Sequence, residues 1–323
     1  MIVILNRSAG HHREETQAQI GDLFQSHGIT VRLLVAEDGN EIASLAREAA
    51  QSEAEVVIAA GGDGTIDGIA SALAGTGKIL GILPLGTFNL FAKRFGIPLD
   101  LTAAVRTVVN GRVAAINVGT VNDRVFLSRS SLGLYPLALR HREQMFRRFG
   151  RSRLIALLSG ATSLLRLGNV MTIRLVTDNN ERIFRSRFVF VCNNPEELDY
   201  FRLRGRRCIE SDNLAIYLPR PLSPTGILRL GFRMLRRQAQ PSHDFSMVCA
   251  REACLEIEPA RVPVSLDGEV EMMPTPLLYR LRLGALRVRV PALQGGADAG
   301  ADTHVDETWF GKRQTASRPE KTC

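Results

Sequence analysis

The sequence predicts an α/β domain with a parallel sheet, followed by a mostly antiparallel β-sandwich domain. Three observations carry this expectation. Over the first third of the chain, short apolar runs alternate with helix-spaced segments. After about residue 117 the texture changes to β-rich pieces separated by turn residues. The chain has 323 residues, 45% hydrophobic and 23% charged, which is enough to bury two cores in an ordinary globular composition.

The elements follow in order. Ile2 to Leu5 is an apolar run and reads as a first strand, and residues 13 to 26 place Ile20, Leu23 and Phe24 on one helical face. "TVRLLV" is strand-like. "NEIASLAREAAQ" sets Ile42, Leu45, Ala46 and Ala49 at helical spacing. "EVVIAA" is a further strand, followed by a helix with Ile66, Ile69, Ala70 and Leu73 on one face. "ILGILPLG" is the next strand, and "NLFAKRF" a helix stopped by Gly96 and Pro98. Strands apolar on both faces and separated by helices imply a parallel sheet covered on each side. The second half supplies "AINVGTV", "RVFLSRSSLGL", "VMTIRLVT", "RIFRSRFVFVCN", "LAIYLP", "CLEIEP", "VPVSLDG" and "LRVRVP". A basic, helix-prone insertion interrupts them at 140 to 168. Residues 292–323 are small, polar and aperiodic and read as a disordered tail. The expected domains are therefore 1–116, 117–291 and the tail.

Composition narrows the chemistry. The net charge of +8 favours an anionic partner. The five cysteines form no CxxC pair and have no histidine cluster near them, so thiols are expected rather than zinc ligands or a disulfide framework. The N-terminus does not read as a signal peptide, and no run of ~18 apolar residues is long enough to span a bilayer.

The most informative stretch is "GGDGT" at 61 to 65, with three glycines in four residues. It lies directly after "EVVIAA" and before a helix, where open parallel sheets hold ligands. Glycines let backbone N–H groups approach an anion closely, and a helix start adds positive partial charge. Together these make a phosphate cradle. A carboxylate beside phosphates requires a cation or a proton donor between them, which gives Asp63 a function that a plain turn lacks. The Rossmann fingerprint is absent. "GTGKI" at 75 to 79 lacks the P-loop's earlier glycine and its Ser/Thr.

Four segments in order resemble the diacylglycerol kinase catalytic-domain superfamily, which includes the sphingosine, ceramide and bacterial lipid kinases. They are "NRSAG" at 6 to 10, "GGDGT" at 61 to 65, "PLGTFNLFAKRFGIP" at 84 to 98 and "SLDGE" at 265 to 269. The resemblance covers roughly residues 1 to 291. It implies a nucleotide-binding domain followed by a β-sandwich, with ATP-dependent phosphoryl transfer to a lipid hydroxyl in the cleft between them. On that resemblance Asn6, Ser8 and Gly10 hold the nucleotide from the first turn. Gly61, Gly62, Gly64 and Thr65 cradle phosphates, Thr87 and Asn89 border the same pocket, and Asp63 acts through Mg²⁺ or a water network. A lipid hydroxyl needs a base within hydrogen-bond reach; Glu269 is the first candidate and Asp267 the second. A further Mg²⁺ site is implied at "IESDNLAIY", with Asp212 and a backbone carbonyl at Ile209 or Leu214.

The sequence departs from the family's pattern at Arg7, Leu90 and Asn213, which stand where the family carries a proline, a polar residue and a glycine. The insertion's Arg140, Arg142, Arg147, Arg148, Arg151 and Arg153 precede a Leu-rich stretch suited to peripheral membrane contact. The expected protein is cytoplasmic, peripheral on the inner membrane face, with a lipid substrate and no nucleic-acid partner. NAD kinases also carry GGDGT, and a non-catalytic nucleic-acid binder would fit the charge. The first does not account for GTxN with a late DGE, and the second leaves Asp63 unexplained.

Overall fold

Four short apolar runs form the sheet of the first unit: three are buried on both faces, and the fourth, at the edge of the sheet, is half-buried. In the computed structural model, which describes residues 1–7, 13–133, 170–178, 180–200, 203–219 and 245–292, they are β1 (Ile2–Asn6), β2 (Arg32–Ala36), β3 (Val56–Gly61) and β4 (Ile79–Pro84). They pair in parallel in the order β2-β1-β3-β4, with Ile4 opposite both Leu34 and Ala59, and Ala59 opposite Ile82. Helices α1 (Arg13–Ser26), α2 (Gly39–Gln51), α3 (Asp63–Leu73), α4 (Leu90–Arg94) and α5 (Leu101–Asn110) connect and cover them.

Strand side chains alternate between faces. Val3, Leu5, Val56, Ile58 and Ala60 share one core with Ile20 and Phe24 of α1 and Ala104, Val105 and Val108 of α5. α2 and α3 pack against each other and bury Ile42, Ala46, Ile66, Ile69 and Leu73. α5 is absent from the sequence reading, although Asp100 caps it by accepting the Ala103 N–H at 2.9 Å, which is a recognisable start signal.

The described residues divide into two units: Met1–Asn117 with the chain from Leu283, and Val118–Arg282. The final strand β16 (Leu277–Val290) contributes to both. Its second half pairs in parallel with β4, Arg287 opposite Ile79, and so belongs with the first unit although it lies in the stretch read above as second domain.

The second unit is built from antiparallel strands in two layers. One layer contains β8 (Met171–Thr177), β9 (Asn180–Ser186), β13 (Glu252–Ile257) and the first half of β16. The other runs β12 (Phe245–Ala250), β11 (Leu214–Pro219), β10 (Phe188–Cys192), β7 (Arg129–Gly133), β14 (Arg261–Leu266) and β15 (Glu269–Pro274). Leu132, Val189, Ile216 and Val264 from one layer share a core with Ile173, Leu175, Leu255 and Tyr279 from the other, which makes the unit a sandwich. The stretch "RIFRSRFVFVCN" is not one strand. Its chain changes layer at the buried Ser186, whose Oγ donates toward the Phe188 carbonyl (2.7 Å) and the Pro219 carbonyl (2.8 Å).

One expectation from the cysteines is overturned: Cys208 and Cys249 are joined as a disulfide, with Cα atoms 5.8 Å apart. They are 41 residues apart in sequence, and only the packing of α7 (Arg206–Glu210) against the β11–β12 layer brings them together. Cys192 is buried, its thiol donating to the Asn194 carbonyl at 3.2 Å. Among the described residues no helix is long and apolar enough to cross a membrane. The basic insertion and the tail lie outside the described residues.

Candidate functional site

In the first unit the strand order reverses between β1 and β3, so the connections leaving these two strands diverge at their carboxyl ends, the place where open parallel sheets hold ligands. Asn6 ends β1 there, and Gly61 to Thr65 follow at the end of β3. Asn6 Nδ2 donates to Thr65 Oγ1 at 2.9 Å, tying the two ends together. Gly61 is required by packing, because a Cβ there would lie 2.5 Å from Thr65 Oγ1. Gly62 precedes α3 with extended backbone and offers no side-chain cap. The leading N–H groups of Asp63 and Gly64 therefore stand at the positive end of an eleven-residue helix, as an anion site requires.

A second turn packs on the first. Leu85 donates its N–H to the Gly61 carbonyl at 2.9 Å. Gly86 lies so close to Gly62 that a Cβ would sit 2.5 Å from the Gly62 Cα and 2.8 Å from Asn89 Oδ1. Asn89 is buried with a left-handed backbone (φ 50°). Its Oδ1 accepts the Gly86 N–H at 3.0 Å, and its Nδ2 donates to the Gly86 carbonyl at 2.8 Å. Asp63 Oδ1 accepts the Phe91 N–H at 3.2 Å. Thr65 and Asn89, expected to face the nucleotide, thus use their side chains to hold the two turns together. Asp63 is half-buried, Gly64 and Thr87 are exposed, and Ser8 and Gly10 lie outside the described residues.

In the second unit, β14 and β15 form a hairpin whose two-residue turn is Asp267 (φ 47°) and Gly268 (φ 109°), and Leu266 is opposite Glu269. The Asp267 carboxylate fills a concavity of three successive N–H groups. Leu127 donates to Oδ2 at 2.6 Å, and Ser128 and Arg129 each donate to Oδ1 at 2.9 Å. The Asp267 N–H donates in return to the Arg129 carbonyl at 2.9 Å. Burial raises the Asp267 pKa above the ordinary carboxylate value, while the three N–H groups and the Arg129 guanidinium pull it down. Glu269, at the first position of β15, is exposed.

Several neighbours of this turn were not found from sequence. Arg129 Nη1 pairs with Glu197 Oε1, whose side chain is 9% exposed. Asn194 Nδ2 donates to Ser128 Oγ at 3.3 Å. These partners are more than sixty residues apart, so no local pattern announces them.

Asp212 has a left-handed backbone (φ 56°) just after α7. Its N–H and that of Ser211 both go to the Ile209 carbonyl, and its own carbonyl accepts from Arg251 Nε at 3.4 Å. Leu214 is buried at the start of β11. The donors here are oxygens, as Mg²⁺ prefers, but the Ile209 carbonyl already takes two hydrogen bonds and the neighbouring Glu210 carboxylate is engaged by Arg206 Nε at 2.8 Å. Among the described residues no cluster of three His, Cys, Asp or Glu side chains could hold a metal.

Comparison with known proteins bears on the first unit most directly. Residues 1–121 match the family described as the diacylglycerol kinase catalytic domain. A protein named "Probable lipid kinase YegS-like" from Klebsiella pneumoniae is 38% identical over 125 residues, 38% of this chain and 41% of that one. A Bacillus subtilis protein named "Diacylglycerol kinase" is 35% identical over 130 residues, 39% of this chain and 43% of that one. The chain thus spans about two fifths of the length of these curated relatives. A crystal structure of a diacylglycerol kinase from Bacillus anthracis superposes with a TM-score of 0.62 at 16% identity, covering 90% of this chain and 96% of that one, which shows a common fold.

Proposed function

We propose that this protein transfers the γ-phosphoryl group of ATP to the hydroxyl of a lipid of the diacylglycerol class. The observation that carries the reading is the Gly61–Thr65 turn at the carboxyl end of β3, beside the reversal of strand order and leading into the uncapped start of α3. The match of residues 1–121 to the kinase catalytic domain supports it.

In this reading the N–H groups of Asp63 and Gly64 bind phosphate oxygens. Asn6, Thr65 and Asn89 fix the spacing of the two turns, and Ser8, Gly10 and Thr87 border the nucleotide. Mg²⁺, when bound with the nucleotide, neutralises phosphate charge, and Asp63 would hold it directly or through water. The half-buried Asp63 carboxylate has one oxygen on the Phe91 N–H, which orients the other. Asp267 positions the second unit's hairpin. Exposed Glu269 accepts the proton of the lipid hydroxyl as the base. Asp212, with Ile209 and Leu214, remains the proposed second cation site. Its oxygen-only donor set supports it, although the carbonyl bonds at Ile209 would have to rearrange. The protein would work in the cytoplasm, reaching its substrate at the inner membrane face.

The test is incubation of the purified protein with γ-labelled ATP and a lipid extract, with mass spectrometry of the labelled product. A phosphorylated lipid is expected, and Asp63→Asn should lower the rate at least about a hundredfold while leaving thermal unfolding unchanged. Phosphorylation of NAD instead, or near-normal turnover by the variant, would defeat the assignment.

A further inference from the structure

We infer that the tip carrying Phe88 and Leu90, with Lys93 and Arg94 beside it, docks on an anionic lipid bilayer. Phe88 is 69% exposed and Leu90 53%, and among the described residues no large apolar side chain is more exposed than Phe88. They stand on either side of Asn89, whose buried amide pins the loop to Gly86 through two hydrogen bonds. The tip is therefore held outward by its own backbone.

The short helix that follows divides its faces cleanly. Phe91 and Ala92 are buried, while Leu90 and Lys93, three residues apart and so neighbours on a helix, are exposed. Arg94 is one position on, its guanidinium carbon 5.0 Å from the centre of the Phe95 ring. Two adjacent apolar side chains left in water lose the free energy that covering them would release. Apolar groups beside cations suit a bilayer with anionic headgroups: the first enter the acyl boundary and the second meet the phosphates. The net charge of +8 adds a longer-range attraction of the same sign. A protein partner would have no such need for lysine and arginine at the rim. The inference deepens the lipid-acceptor reading and rests on it for its purpose, since it brings the bilayer to the turn that packs on the phosphate cradle.

Insertion can be read at the residue itself. Phe88→Trp in a Trp309→Phe background leaves a single tryptophan in the full chain. With vesicles of phosphatidylglycerol and phosphatidylcholine its emission should shift to the blue and be quenched by brominated acyl chains; phosphatidylcholine alone should give little change. The double variant Phe88→Ser, Leu90→Ser should bind the mixed vesicles at least about tenfold more weakly, with unaltered ATP affinity in the absence of lipid. Vesicle binding without a change in the tryptophan signal would place the contact elsewhere and overturn the proposal. So would loss of ATP affinity in the serine variant, which would make Phe88 a wall of the nucleotide pocket. Insertion without phosphorylation of any lipid would instead sink the kinase reading and leave the docking tip standing.

Discussion

Asp267 and Glu269 are two residues apart and stand in opposite surroundings. The first is enclosed by three backbone N–H groups, and the second is exposed at the start of a strand. If Asp267 positions and Glu269 accepts the proton, their variants separate kinetically. Glu269→Gln should cut kcat at least about a hundredfold with ATP affinity and thermal stability unchanged. Asp267→Asn should lower stability by about 1–3 kcal/mol, because an amide offers one acceptor oxygen to three donors. Active Glu269→Gln with dead Asp267→Asn would reverse the roles.

The pKa of Asp267 makes a second prediction at this scale. A carboxyl held above its unfolded value binds its proton more tightly in the folded state. Its contribution therefore favours folding below the ordinary carboxylate pKa and is lost as pH rises through the folded value. Relative to Asp267→Asn, the native protein should gain stability on acidification from neutral pH, measured by denaturant titrations across the acid range. Arg129→Gln removes a charge that lowers this pKa, so carbon NMR of the Asp267 carboxyl should show it titrating still higher. A relative loss of stability on acidification would mean that the three N–H groups outweigh burial.

At the scale of elements, the turns after β3 and β4 act as one body because Gly62 and Gly86 touch without side chains. Gly86→Ala would press a methyl group against the Gly62 Cα, which is backbone, and Asn89 Oδ1, whose amide is held by two hydrogen bonds to Gly86. The expected cost is about 1–3 kcal/mol of stability together with weaker ATP binding, read by thermal unfolding and calorimetry. By contrast Gly64→Ala has open space and should leave stability nearly unaltered. Equal effects of the two would show that the turns are not rigidly joined. The disulfide between α7 and β12 likewise belongs to this scale, since it ties a helix to the edge strand of the layer on which it packs.

Across the whole molecule, 41 basic residues against 33 acidic ones leave a net charge of +8, which favours an anionic partner. The basic insertion concentrates part of that charge. Reversing Arg147, Arg148 and Arg151 should weaken co-sedimentation with phosphatidylglycerol vesicles, and the remaining binding should depend less steeply on salt because fewer charges are engaged. Unchanged co-sedimentation would leave these arginines as solvated surface.

Local sequence determined much of this protein. Apolar runs such as Val56 to Ala60 between helix-spaced segments defined the parallel sheet, because burial on both faces requires them. Asp-Gly after "VPVSL" is a common turn pair, and the structure makes it the two-residue turn between β14 and β15, with left-handed backbone at both positions. The Gly61–Thr65 turn was legible as glycines between an apolar run and a helix start, but the packing of Gly61 on Thr65 and of Gly62 on Gly86 was not. What local sequence could not decide was which side chains meet across the chain. Thr65 and Asn89 look like ligand-facing polar residues, yet one bonds Asn6 and the other the loop's own backbone. Arg129 finds Glu197, Cys208 finds Cys249, and the end of β16 joins β4. Each pairing joins residues tens to hundreds of positions apart, and the packing of sheets and helices alone sets their distance.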